Sequence, residues 1–301
     1  MTRRLLVLLA ALTLVVVACG GDDDDTTTTS ADAAEATTTA GDTVVTGPPE
    51  ECAVDTLDLT TPDTLTVATG EPAFPPWIGG DDDPTSKEGF ESTVVYAISG
   101  RMGLTDQVTW VRTGFDEAIA PGPKDYDFNI QQYSITEERD EVVDFSESYY
   151  TVQQSLVAYA DSAITAAETA ADLAEYRLGA QIGTTSLDYI ENVIQPTTPA
   201  SVYDTNADVK AALDADQIDG VVFDLPTAYF ITAVEIPEAT IVGVLEAPGG
   251  EPEEFGLLFE EGSPLVECVN VAIRSLKEDG TFAALEGIWL AQQGEVKTIR
   301  P

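Results

Sequence analysis

The residues of this chain whose types and spacing could do chemistry begin with Ser134-Ile135-Thr136-Glu137-Glu138-Arg139, followed by Val143-Asp144-Phe145-Ser146. They place one guanidinium on a short polar turn after a predicted buried strand, in a chain with only 13 Lys and Arg. A guanidinium presents a planar fork of donors that pairs bidentately with a carboxylate. Arg139 is therefore a candidate anion clamp. The competing reading is a solvated ion pair with Glu137, Glu138, Asp140 or Glu141, the commoner fate of a surface arginine. The opposite charge comes from Asp224, which ends the apolar run Val221-Val222-Phe223. An acid at the end of a buried strand wants a cation or several donors, and either a ligand ammonium or a structural hydrogen bond would serve. In Gly183-Thr184-Thr185-Ser186, between a strand and a helix-like run, free amides and hydroxyls bind an anion or merely cap the helix. Phe74 and Trp77, in the proline-rich stretch from Glu71, and Phe115 after Gly114 present rings to a ligand or close over a core.

The chain has no histidine. That excludes Ser-His-Asp and Cys-His catalysis in their usual forms and most zinc sites, so no metal and no cofactor are expected. The net charge of −41 excludes nucleic acid as a partner, because phosphate binding needs clustered Lys and Arg.

The elements that must position these residues alternate between short apolar runs and helical patterns. Strands are expected at Leu65–Thr69, Val108–Arg112, Tyr126–Gln131, Gln154–Tyr159, Leu178–Ile182, Gly220–Asp224, Thr240–Val244 and Phe255–Phe259. Between them Phe90, Val94, Val95 and Ile98 recur at helical spacing, as do Val209 and Leu213 after a cap at Asn206. Pro264 to Glu278 forms an amphipathic helix with Gly280 as its stop. This alternation predicts an α/β fold. Tyr126–Ile130 and Ile218–Val222 echo each other, each a buried strand delivering polar residues at its carboxyl end, where open α/β sheets bind ligands. Two such units suggest two similar lobes facing one cleft.

Ahead of the folded part, Arg3 and Arg4 precede the apolar run Leu5 to Ala18. That run is shorter than the roughly 20 residues of a membrane span and reads as an export signal over residues 1–18. Val16-Val17-Ala18-Cys19-Gly20 looks like a lipobox, with Cys19 the lipid-modified first mature residue that anchors the chain to the outer face of the membrane. Residues 19–50 are an acidic, Thr-rich tether without a core-forming pattern. With Cys19 assigned to lipid, Cys52 and Cys268 are the remaining pair in an exported protein, and a disulfide between them is expected.

Together these segments resemble the extracytoplasmic solute-binding proteins of amino-acid ABC importers, family 3. The resemblance spans Leu65 to Leu290. It rests on Gly70-Glu71-Pro72 with Phe74 and Pro76, Gly89-Phe90-Glu91, Tyr126-Asp127, the Ser134–Arg139 and Val143–Ser146 motifs, Gly183-Thr184-Thr185, Asp219 to Asp224, and Asp279-Gly280-Thr281 with Trp289. It implies a two-lobed periplasmic-binding-protein-like fold of type II: two mixed sheets flanked by helices, with two crossover strands at the hinge, near Val157–Tyr159 and Glu253–Phe255. Lobe 1 would cover residues 60–157 and 253–301, and lobe 2 residues 158–252. It also implies a monomer that closes on a polar amino-acid ligand and delivers it to an ABC permease in the membrane. Arg139 would hold the ligand carboxylate with Thr184 or Thr185, and Asp224 the ammonium. Ser134 and Gln132 would line the site, Phe74 and Phe115 supply ring contacts, and Glu71 the early acid. Gln131 and Gln132 depart from the family's usual small residues and either intrude on the side-chain pocket or add amide contacts. The alternatives are a dehydratase-like enzyme on the same fold and a ligand-sensing subunit of a signalling system.

Overall fold

The computed structural model describes residues 52–290 and 295–301. The expected signal peptide, the lipidation site at Cys19 and the tether lie outside the described residues.

Strand β1 (Leu65–Thr69) is buried at all five positions, which matches its apolar run and a sheet covered on both faces. Helix α1 (Phe90–Arg101) leads to β2 (Val108–Arg112), α2 (Phe115–Ile119), β3 (Phe128–Asn129), α3 (Glu137–Asp140) and β4 (Asp144–Phe145). The chain then crosses through β5 (Tyr150–Val152) into β6 (Gln154–Tyr159), β7 (Leu178–Gln181), α4 (Thr185–Tyr189), β8 (Ser201–Tyr203), α5 (Asn206–Asp214), β9 (Gly220–Asp224), α6 (Leu225–Phe230) and β10 (Ala239–Leu245). It returns through β11 (Glu253–Phe255) to β12 (Leu258–Phe259), α7 (Leu265–Glu278), α8 (Thr281–Trp289) and β13 (Thr298–Ile299).

The first sheet has the order β2-β1-β3-β12-β4 and the second β13-β10-β6-β9-β7-β8. Both are mixed: β12 runs antiparallel to β3 and β4, and β6 antiparallel to β9 and β10. The crossings β5 and β11 pair with each other, antiparallel, as a two-stranded hinge. In the second sheet, neighbouring residues alternate between faces: Leu156 and Val222 join one core cluster, Val157 and Val221 the other. In the first lobe, α7 presents Leu265, Cys268, Val269, Ala272, Ile273 and Leu276 to the core at helical spacing. Gly280, with φ 80°, follows its end. Cys268 on this helix is bridged to Cys52, with Cα atoms 5.4 Å apart.

Several expectations shift. The lobe boundary expected at residue 157 falls inside β6, which has already entered the second sheet at Gln154; the first crossing is β5. The tail assigned to lobe 1 returns to the second sheet, where β13 pairs with β10. Gly243 makes room for it, because a Cβ there would lie 2.7 Å from Ile299 Cγ1. The strand expected over Phe255–Phe259 divides where the chain leaves the hinge pair for the first sheet, and the one over Tyr126–Gln131 pairs only at Phe128–Asn129. Helix α5 is capped by Thr205, whose Oγ1 accepts from Asp208 N at 3.1 Å, so Asn206 is its first helical residue.

Candidate functional site

The residues that follow β1, β2, β3, β7, β8 and β9 enclose a cavity of about 280 Å³. This is the carboxyl-end crevice where α/β sheets bind ligands. Glu71, Phe74, Phe115, Gln132, Ser134, Arg139, Thr184, Thr185 and Asp224 all line it.

Arg139 is brought inward by a single turn. Thr136 adopts extended backbone and its hydroxyl accepts from Arg139 N at 3.2 Å, starting α3 so that the arginine side chain is only 7% exposed. Its Nη1 donates to the Ser134 carbonyl at 2.6 Å and its Nη2 to the Gly183 carbonyl of the second lobe at 2.9 Å. The guanidinium lies 5.5 Å from the centroid of the Phe115 ring, which stacks on Tyr133. Among the described residues it makes no salt bridge, so the surface ion pair with its acidic neighbours is not formed. Two of its five N–H donors serve the backbone, which holds the group rigid and leaves the others for an anion. Burial pulls its pKa down, and Glu253 is the first of the charges opposing that shift.

Asp224 faces Gln154 across the β6–β9 register and accepts from Gln154 Nε2 at 2.7 Å. Part of its surface opens to the cleft, yet the carboxyl lies deep enough for burial to push its pKa up to about 8, with the charge of Glu253 adding to the rise. The two threonines differ. Thr184 is the N-cap of α4: its Oγ1 accepts from Leu187 N and donates to Gln181 O. Thr185 instead turns its hydroxyl to Glu253 Oε2 at 2.7 Å.

Gln132 has a left-handed backbone, φ 54°. Its N donates to Glu91 Oε1 at 2.9 Å and its side-chain amide donates to Glu91 Oε2. Glu91 is fully buried and also accepts from the Tyr149 hydroxyl; burial pushes its pKa up to about 7. Glu71 is exposed at the cleft and Phe74 half-buried. Trp77 packs edge-on against Phe90, Tyr150 and Phe255, closing over the core.

Glu91, Gln154 and Glu253 were not singled out by their chemistry in the sequence. Gln154 and Glu253 each open a segment read as a strand or a crossing, which is the signal that could have found them. Among the described residues no group of three or more His, Cys, Asp and Glu could hold a metal ion.

Two α/β lobes on a paired hinge, closing over a cleft that carries a buried arginine and a half-buried acid, define a solute-binding protein. The chain belongs to the bacterial extracellular solute-binding proteins, family 3, whose model matches residues 65–292. It is 28% identical over 231 residues to the ABC transporter arginine-binding protein 1 of Escherichia coli K12, covering 73% of this chain and 88% of that one. It is 24% identical over 208 residues to an arginine-binding extracellular protein of Bacillus subtilis, covering 67% and 77%. Among solved structures, a mutant of an arginine-binding protein from T. maritima superposes with a TM-score of 0.64 at 28% identity, covering 76% of this chain and 96% of that one. An ancestral arginine-binding protein bound to glutamine gives 0.66 at 26%, covering 77% and 100%. These relatives are binding proteins, and the chain is a binding protein rather than a dehydratase-like enzyme.

Proposed function

We propose that this protein captures a free amino acid with a cationic side chain and delivers it to an ABC importer, held at the membrane by lipid on Cys19. The observation that carries this reading is the pairing of Arg139 from the first lobe with Asp224 from the second. An α-carboxylate and an α-ammonium complete an ion-paired network that neither lobe offers alone, which couples binding to hinge closure. The side-chain preference follows from the lining, where Glu71, Asp116, Asp204 and Asp224 stand against Arg139. The arginine-binding relatives support the same choice. Thr185 lies at the head-group end with its hydroxyl turned to Glu253, Thr184 serves the helix cap, and Phe74 and Phe115 flank the aliphatic stem.

Calorimetric titration of the exported chain with the natural amino acids, ornithine and citrulline tests this. Arginine or lysine should bind tightest. No binding by any amino acid, or a preference for acidic ones, would refute it.

A further inference from the structure

Glu253, on the hinge strand β11, stands behind the cleft and touches two of the residues that line it. Its Oε2 accepts from Ser134 Oγ of the first lobe and from Thr185 Oγ1 of the second, both at 2.7 Å. Gln154 Nε2 stands 3.5 Å from the same oxygen and 2.7 Å from Asp224 Oδ1, so one amide serves two carboxyl groups. A carboxylate accepts and does not donate. Both hydroxyl protons are therefore spent on Glu253, so Ser134 and Thr185, which line the cleft, can act there only as acceptors; Thr185 Oγ1 also stands 3.4 Å from Gln154 Nε2 and 3.4 Å from Ser134 Oγ. A ligand carboxylate resting on Arg139 meets these oxygens as acceptors with a fixed negative charge behind them. That charge is poorly screened at such range in a half-buried site.

A count of charges gives the consequence. Arg139 and Asp224 balance the carboxylate and ammonium of a zwitterion; Glu71, Asp116 and Asp204 on the lining are left over, and Glu253, fixed by the two hydroxyls behind the head group, adds to their negative charge. A ligand bringing one more positive charge offsets it. We propose that Glu253 is a specificity-determining positioning residue: by holding the Ser134 and Thr185 hydroxyl protons at the hinge, it sets the cleft against net-neutral amino acids and in favour of cationic ones. The inference rests on the amino-acid reading above.

The test compares arginine with citrulline, which has nearly the same shape without the side-chain charge. Both are titrated into the exported chain and its Glu253→Gln variant by calorimetry, with thermal melting to confirm folding. The variant should narrow the arginine-to-citrulline affinity ratio at least tenfold, largely through tighter citrulline binding. If Glu253 only braces the hinge, both ligands weaken by the same factor and the unchanged ratio overturns the proposal alone. If the wild-type chain binds neither ligand, this proposal is overturned, and the amino-acid reading falls with it only when no other amino acid binds. Should Glu253→Gln fail to fold, Glu253→Ala removes the charge and frees both hydroxyls, and is read by the same ratio.

Discussion

The indole Nε1 of Trp77 donates to Thr227 Oγ1 at 2.8 Å, joining the proline-rich loop of the first lobe to α6 of the second, and both side chains are buried. Together with the bond from Arg139 to the Gly183 carbonyl, it fastens the two lobes without any group from a ligand. The closed arrangement is thus stabilised by the protein's own contacts, and a ligand has only to add to them.

Thr227→Val removes the acceptor and keeps the shape. A buried N–H left unpaired costs about 1–3 kcal/mol, and the cost falls on the closed state. The variant should bind its ligand roughly 5–140-fold more weakly, and its ligand-free form should scatter X-rays as a more open particle. Unaltered affinity with an unaltered scattering curve would show that this bond does not govern closure.

Arg139→Ala should abolish binding, since losing the partner of a desolvated ligand carboxylate costs about 3–5 kcal/mol. Arg139→Lys should do little better. An ammonium is a point charge and cannot hold both backbone carbonyls while presenting a fork. Near-wild-type affinity of either variant in calorimetry would remove Arg139 from the role of carboxylate anchor.

How far the sequence discloses this site depends on the range of each contact. The apolar runs of β1, β6 and β9 are plain because both faces are covered, whereas β8 and β13 are three- and two-residue edge strands with no such signature. Arg139, Thr185 and Asp224 stand in local motifs and are found by them. The Ser134 and Thr185 hydroxyls are held by Glu253, which is 119 and 68 residues away from them, and no local pattern carries that. Glu91 looks like a solvated helix charge; only the fold reveals that Tyr149 and Gln132 satisfy it in the core. Arg139 shows the reverse, an apparent surface charge that the Thr136 cap winds inward.

Asp224 makes binding depend on pH. In the ligand-free protein its pKa is pushed up to about 8, so below that pH the carboxyl holds a proton. A ligand ammonium favours the carboxylate and lowers the value, and binding must release the proton. Affinity should therefore rise with pH toward about 8 and then flatten. Glu91, Glu253 and Arg139 face the same group, so Asp224→Asn is the control that should remove most of the dependence. Calorimetry at pH 7 in phosphate and in Tris should give different heats, and equal heats would refute the proton release. For folding the sign is opposite. A raised folded-state value means stability is fully present below the ordinary 3.8 and is lost as pH rises through about 8. The ligand-free protein should melt lower at pH 8 than at pH 5.

The bridge between Cys52 and Cys268 closes a sequence separation of 216 residues and ties the start of the described chain to α7. Because Cys268 is itself part of the α7 core face, the link fixes the segment that packs Cys52, Val54, Leu57 and Leu59 against the core of the first lobe. A loop of this length confines the unfolded chain strongly, and removing a native disulfide typically costs about 2–5 kcal/mol. At roughly 2–4 °C per kcal/mol for a domain of this size, reduction should lower the melting temperature by about 5–20 °C. The cleft is built from other elements, so ligand affinity well below the transition should change little. Thiol titration of the unreduced exported protein should find neither cysteine free. Two free thiols there, with a melting temperature indifferent to reductant, would show that the bridge does not form.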